Sequence, residues 1–104
     1  MKHTTEEIEI LERWVEALES GEYEQCRGEL RLKDPLAFCC LGVLVEIEQA
    51  WDKPGEQVYK KAGIYERSNS EEYGINHYIH MNDKEKASFK KIAADIRLHH
   101  LAPL

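Results

Sequence analysis

Cys39 and Cys40 stand side by side inside an apolar run, and Cys26 precedes them in a polar stretch. Three uses for such thiols can be weighed on spacing. A structural zinc site needs ligands that converge, usually as C-x-x-C pairs. No C-x-x-C spacing occurs in this chain, and adjacent helical residues point about 100° apart. A nucleophile needs a thiolate favoured by a helix N-terminus or a cation. Cys39 falls a full turn past the helix start read below, where apolar neighbours raise a thiol pKa. The expectation is therefore that the cysteines are small apolar core residues.

The histidines offer little more. His77 and His80 stand at i, i+3, and His99 and His100 lie near the C-terminus. One helical face can present the first pair to a metal. There is no H-E-x-x-H pattern and no acid at fixed spacing behind them. Surface or boundary positions are expected, with no metal and no cofactor. A Gly-rich phosphate loop, a Ser-His-Asp arrangement and a paired-acid signature are all missing.

Two polar groups remain. Tyr23, Gln25, Arg27 and Arg31 lie within nine positions. A guanidinium fork beside an aromatic face and an amide suits an anion or a nucleobase. The same residues can equally hydrogen-bond loop backbone and cap helix ends. Glu9, Glu12, Glu16 and Glu19 form a stripe of like charges three and four apart, offset only by Arg13. Such spacing is mildly destabilising within a helix. It suits a solvated face or contact with a basic protein surface.

These residues must be carried by a few elements. Thr4 and Glu7 form a capping-box pattern, followed by Ile8, Leu11, Trp14, Val15 and Leu18 at helical spacing. Ser20-Gly21 ends that helix, predicted over 5–20. Residues 22–33 alternate around Gly28 and read as an extended loop or a short hairpin. Asp34-Pro35 then reads as a helix start. A central helix buried all round, spanning about 35–50, is expected there, with a buried strand as the competing reading because periodicity does not separate the two. Gly42 inside it implies close approach of a neighbouring backbone. A short helix is predicted over 54–62, ended by Gly63, and a loop over 64–74. Ile75, Tyr78 and Ile79 fit one helical face, although Ile75, His77, Ile79 and Met81 also alternate. Asn82-Asp83 reads as the cap of a last helix over 84–99, with Phe89, Ile92, Ala93 and Ile96 as its apolar stripe. The fold class is thus mainly α, in one domain over 1–104.

Composition agrees. The chain has 104 residues, 42% hydrophobic and 33% charged, which is globular usage long enough for a real core. The longest apolar run, Leu36 to Val45, is ten residues, and a membrane span needs about 20. No membrane association is expected. The N-terminus has no apolar stretch of signal-peptide type. Three cysteines make no disulfide framework, so a reducing cytoplasm is the expected compartment. Net charge is −6, all of it carried by residues 1–30. That opposes approach to phosphate backbones.

Three stretches resemble a family of small proteins common in bacteriophage genomes and prophages. They are Trp14-x-x-Ala17-Leu18-x-Ser20-Gly21-x-Tyr23-x-Gln25, then Gly28-x-Leu30, then Phe38-Cys39-Cys40-Leu41-Gly42-Val43-Leu44. Met81-Asn82-Asp83 and Ser88-Phe89-x-x-Ile92-Ala93-x-x-Ile96 are similar to the same family's closing motif. The likeness covers 14–45 and 79–97. Relatives often carry a glycine in the turn at Lys84-Glu85-Lys86, where this chain has none.

The resemblance implies a context: an accessory protein that binds and blocks or sequesters a host component. The target would be a defence protein met by the acidic helix, or a small nucleotide signal held by Tyr23, Gln25, Arg27 and Arg31. A homo-oligomer is compatible with either. Two alternatives stand. One is a small enzyme using the cysteines, the histidines or Asp83. The other is a DNA-binding regulator resting on Lys84, Lys86, Lys90 and Lys91, although no sequence-specific nucleic-acid binding is expected. The absence of a catalytic signature favours the binder.

Overall fold

A computed structural model describes residues 3–65 and 73–101 of the chain. The first helix, α1, runs Thr5–Ser20. Its start is the predicted capping box: Thr4 Oγ1 accepts from the Glu7 amide, and Glu7 Oε1 accepts from the Thr4 amide, both at 3.1 Å. Gly21, at φ 80°, ends it in the left-handed region. Ile10, Leu11, Trp14, Val15 and Leu18 form its buried face. The Trp14 indole donates to the Cys40 carbonyl at 2.8 Å, so its one polar atom is satisfied in the core.

The next segment departs from the sequence reading. The hairpin lies at 31–38, not 22–33. Strand β1, Arg31–Lys33, pairs antiparallel with β2, Leu36–Phe38, with Leu32 opposite Ala37. Asp34-Pro35 is the turn between them, and its peptide bond is cis. Proline's fixed φ and missing N–H suit a turn as well as a helix's first residue. The choice is made by pairing on both edges of β2. On the second edge Phe38 N donates to Glu24 O and Cys26 N to Phe38 O, at 2.9 and 2.8 Å.

The central helix, α2, is therefore shorter than expected. It spans Cys40–Ile47, and its N-cap is Cys39, whose sulfur accepts from the Gly42 amide at 3.4 Å. All residues from Cys40 to Val45 are buried, as an apolar run without a polar face requires. Gly42 is explained by the hairpin: a Cβ there would collide with the Leu30 backbone carbonyl. That carbonyl meanwhile accepts from the Cys39 amide at 3.1 Å.

Helix α3, Gly55–Lys61, ends before Gly63, which takes φ 79°. The loop expected over 64–74 falls largely outside the described residues, as do its serines Ser68 and Ser70. Helix α4, Ile75–Asp83, buries Tyr78, Met81 and Asn82. Ile79 does not share that face and is 40% exposed. Asn82 and Asp83 end α4 and do not cap the next helix. That helix, α5, runs Phe89–Ile96 with Ser88 as N-cap, accepting from the Lys91 amide at 3.2 Å. Its predicted stripe of Phe89, Ile92, Ala93 and Ile96 is buried, and the last turn, Arg97–Leu101, widens into a π-helix. Helix α1 packs against α5 and α2, and α2 packs against α4. The result is the expected mainly helical small fold, with one apolar core shared by these helices. No described helix is long and apolar enough to cross a membrane.

Candidate binding groove

Residues 23–31 wrap over the hairpin and meet the end of α4. Their polar side chains diverge. Gln25 turns inward and donates to Asn82 Oδ1 and to the Ala87 carbonyl, both at 2.8 Å. Arg27 reaches the Lys86 carbonyl at 3.0 Å. Both therefore tie the loop to the turn between α4 and α5. Arg31 goes the other way and stacks its guanidinium 4.0 Å from the Trp51 ring centre. Tyr23 meets Phe38 edge-on, and Phe38 stacks against Trp51. The four residues picked from sequence thus do not converge on one point.

The loop does border a groove, but through residues between the chosen ones. Gly28, Glu29 and Leu30 face Cys39, Leu41, Tyr59, Ile79 and Asp83 across a volume of about 320 Å³. Its rims are Leu30 and Ile79, each 40% exposed. Its acidic end is Asp83, whose Oδ1 accepts from the Gly28 amide at 3.0 Å and from Asn82 Nδ2 at 2.8 Å. Those bonds fix the carboxylate, and its second oxygen has no hydrogen-bond partner among the described residues. Among the described residues neither Asp83 nor Glu29 has an ion-pair partner, whereas Glu19, Glu48 and Glu56 do.

Asp83 is held in place by Asn82, which is fully buried. Its oxygen also accepts from the Cys40 amide at 3.2 Å, and its amide also donates to the Cys26 carbonyl at 2.9 Å. Four partners saturate the carboxamide. This node joins loop, α2 and α4.

The thiols near the groove are not activated. Burial pushes Cys39 up, and the Gly42 amide only partly offsets it. Burial raises Cys40 well above the ordinary thiol range, and it also raises Cys26. The Tyr59 hydroxyl is pushed up to about 12 by burial. These groups stay protonated and neutral near neutral pH. What the arrangement offers is an apolar trough with fixed negative charge at one end.

The other expected residues lie elsewhere. Glu9, Glu12, Glu16 and Glu19 are exposed along α1. Glu19 is held by Arg97 in a two-pronged contact of 2.8 and 2.9 Å, so the stripe is partly neutralised from α5's end. The Arg97 guanidinium holds the Glu19 carboxyl below the usual range. Lys84, Lys86, Lys90 and Lys91 are exposed. No described group of histidine, cysteine and acid side chains has metal-binding geometry. Sequence reasoning missed Leu30, Tyr59 and Ile79 as groove walls. The signal available for Ile79 was an apolar residue that alternates out of the Tyr78–Met81 face.

A family described as a domain of unknown function (DUF8296) matches residues 6–79. The matched span carries α1, the hairpin, α2, α3 and every groove wall except Asp83. No curated protein and no solved structure matches the chain.

Proposed function

The chain belongs to the DUF8296 family, for which no function is assigned, and on that footing we propose that it is a non-catalytic binding protein that captures a basic segment of a protein partner. The observation that carries this is the groove between Leu30 and Ile79 ending at Asp83. A lysine or arginine lays an apolar stem along apolar surface and keeps its charged head at a polar end. A guanidinium meeting a fixed carboxylate gains a charge-assisted hydrogen bond. The acidic excess of residues 1–30 favours approach of a basic partner from a distance. The resemblance to small bacteriophage and prophage proteins supports an accessory role against a host component, in the host cytoplasm.

The small-nucleotide reading comes second. Arg31 on Trp51 favours it, since the guanidinium is held in place and has no hydrogen-bond or ion-pair partner among the described residues. The pocket beside Trp51, however, is lined by Glu46 and Asp52, which repel phosphate.

The test is a titration followed by backbone amide NMR, using acetyl-Leu-Arg-amide as probe. Saturable shifts at Gly28, Leu30 and Ile79 are expected. The citrulline analogue, neutral at the same shape, should shift them at least about tenfold more weakly, since a charged hydrogen bond is worth about 1.5–3 kcal/mol. Asp83→Asn should abolish the difference between probes. Equal response to both probes, or a response centred on Arg31 and Trp51, would overturn the assignment of the groove.

A further inference from the structure

Four of the five histidines gather around Tyr73 and Asp95 and the end of the chain's last described turn. His3 Nε2 lies 2.8 Å from His100 Nδ1. At the outer ends of this pair, His3 Nδ1 is 3.1 Å from Glu7 Oε1 and His100 Nε2 is 2.7 Å from the Tyr73 carbonyl. His3 and His100 are both largely buried, with the His3 side chain 3% exposed.

The contacts set a condition on the protons of the pair. A carboxylate and a carbonyl only accept, so each outer contact is a hydrogen bond only with a proton on the ring nitrogen. The inner contact needs one proton between two nitrogens. All three contacts are hydrogen bonds together only when four ring nitrogens hold three protons, that is, one positive charge on the pair. With four protons, two N–H groups would face each other at 2.8 Å. With two, an acceptor is left facing another acceptor somewhere along the chain of contacts.

We propose that His3 and His100 form a single-proton clasp, joining the approach to α1 to the C-terminal π-turn, that is closed while the pair carries one charge and opens on gain or loss of one proton. The surroundings favour the single charge. Glu7 on α1 stands beside His3, and burial of His100 opposes a charge on that ring. From α4, the Tyr78 ring lies 6.0 Å from the His100 ring. The turn after α3 closes over the clasp at Gly63, where a Cβ would stand 2.7 Å from His3 Nδ1.

The neighbouring histidines behave differently. His77 and His99 both face Asp95, at 3.1 and 3.9 Å, and Tyr73 stacks on His99. Acid therefore loosens the clasp, and the neighbouring His99 and Asp95 act on a charge at His100 in opposite directions.

The experiment is imidazole 15N NMR with amide hydrogen exchange on the full chain across pH about 4 to 8, a range that spans ordinary histidine titration. Expected near neutrality are protonated His3 Nδ1 and His100 Nε2 and slow exchange at Ile8 and at 98–101. On acidification the exchange-competent population at those amides, corrected for intrinsic exchange, should rise about tenfold per pH unit, the slope of one proton. His3→Gln and His100→Gln should each remove that step. His80→Gln, which changes an exposed histidine near Glu85, should keep it. If His100→Gln fails to fold, His3→Gln alone decides. Persistence of the step in His3→Gln, or two neutral rings at the pH of greatest protection, would overturn the clasp.

Discussion

Gln25 Nε2 and Asn82 Oδ1 lie 2.8 Å apart although 57 residues separate them in the chain. Through this bond a surface loop is anchored to a fully buried carboxamide, which also fixes the first turn of α2 and the carboxylate at the groove. Asn82 is thus the place where fold and candidate site depend on the same atoms. Replacing it with leucine would leave the Cys40 amide and the Cys26 carbonyl without these partners. Each buried unpaired group costs about 1–3 kcal/mol, so Asn82→Leu should lower stability by about 3 kcal/mol in urea unfolding. A loss under about 1 kcal/mol would mean the node is replaceable by packing.

Gly42 should tolerate no side chain. The added methyl of Gly42→Ala would fall on the Leu30 carbonyl, which is backbone and already bonded to Cys39 N. The hairpin must then shift away from α2. Overpacking of this kind costs about 1–3 kcal/mol or more, against the small gain in helix propensity that alanine normally brings. Thermal unfolding of the variant checks the sign.

Lys86 takes φ 56° in the turn between α4 and α5. A left-handed conformation costs a residue with a Cβ about 1–2 kcal/mol. Glycine removes that cost but gains unfolded-state entropy of similar kind. Lys86→Gly should therefore be neutral to stabilising by about 1 kcal/mol. Since Arg27 bonds the Lys86 carbonyl and not its side chain, that contact should survive. A clear destabilisation would show that the lysine side chain holds the turn.

The thiols give a pH prediction. Folding raises the pKa of Cys39 and Cys40, chiefly by burial. In the alkaline range the unfolded chain loses thiol protons before the folded one does, so the native state binds more protons there. Stability is then full below the ordinary thiol pKa of about 8.5 and falls as pH rises through it. Alkylation of native protein at neutral pH should be much slower than that of a free thiol. Rapid labelling of Cys39 without unfolding would reverse the reading of these residues as core.

Arg27→Ala and Arg31→Ala separate loop staple from contact surface. Arg27 is exposed and makes one backbone contact, so its loss should change stability by under about 1.5 kcal/mol. Arg31 should lose its stack on Trp51, worth about 0.5–1 kcal/mol at a partly exposed site. Neither should weaken capture of the arginine probe by the groove more than Ile79→Ser does, measured in one titration series.

Much of the secondary structure was legible in the chain because it depends on neighbours in sequence. The Thr4–Glu7 box, the stop at Gly21, the stop at Gly63 and the stripe from Phe89 to Ile96 are all local patterns, and each sits where its spacing says. The need for a small residue at Gly42 was also legible, as a glycine out of place in a helix. Asp34-Pro35 reads as a helix start in the sequence and is a turn in the fold, because the same dipeptide serves both. Pairing of Phe38 with Glu24 and Cys26 decided it, and that pairing is not a local property. Polar residues posed the same problem in sharper form. Sequence identified Tyr23, Gln25, Arg27 and Arg31 as able to bind something, but the partner each takes is set by what the fold brings near. For Gln25 that partner is Asn82, for Arg31 it is Trp51, and for His3 it is His100, 97 residues away. Side-chain chemistry is written in the sequence. Which donors remain free for a ligand is decided only when tertiary contacts have satisfied the rest.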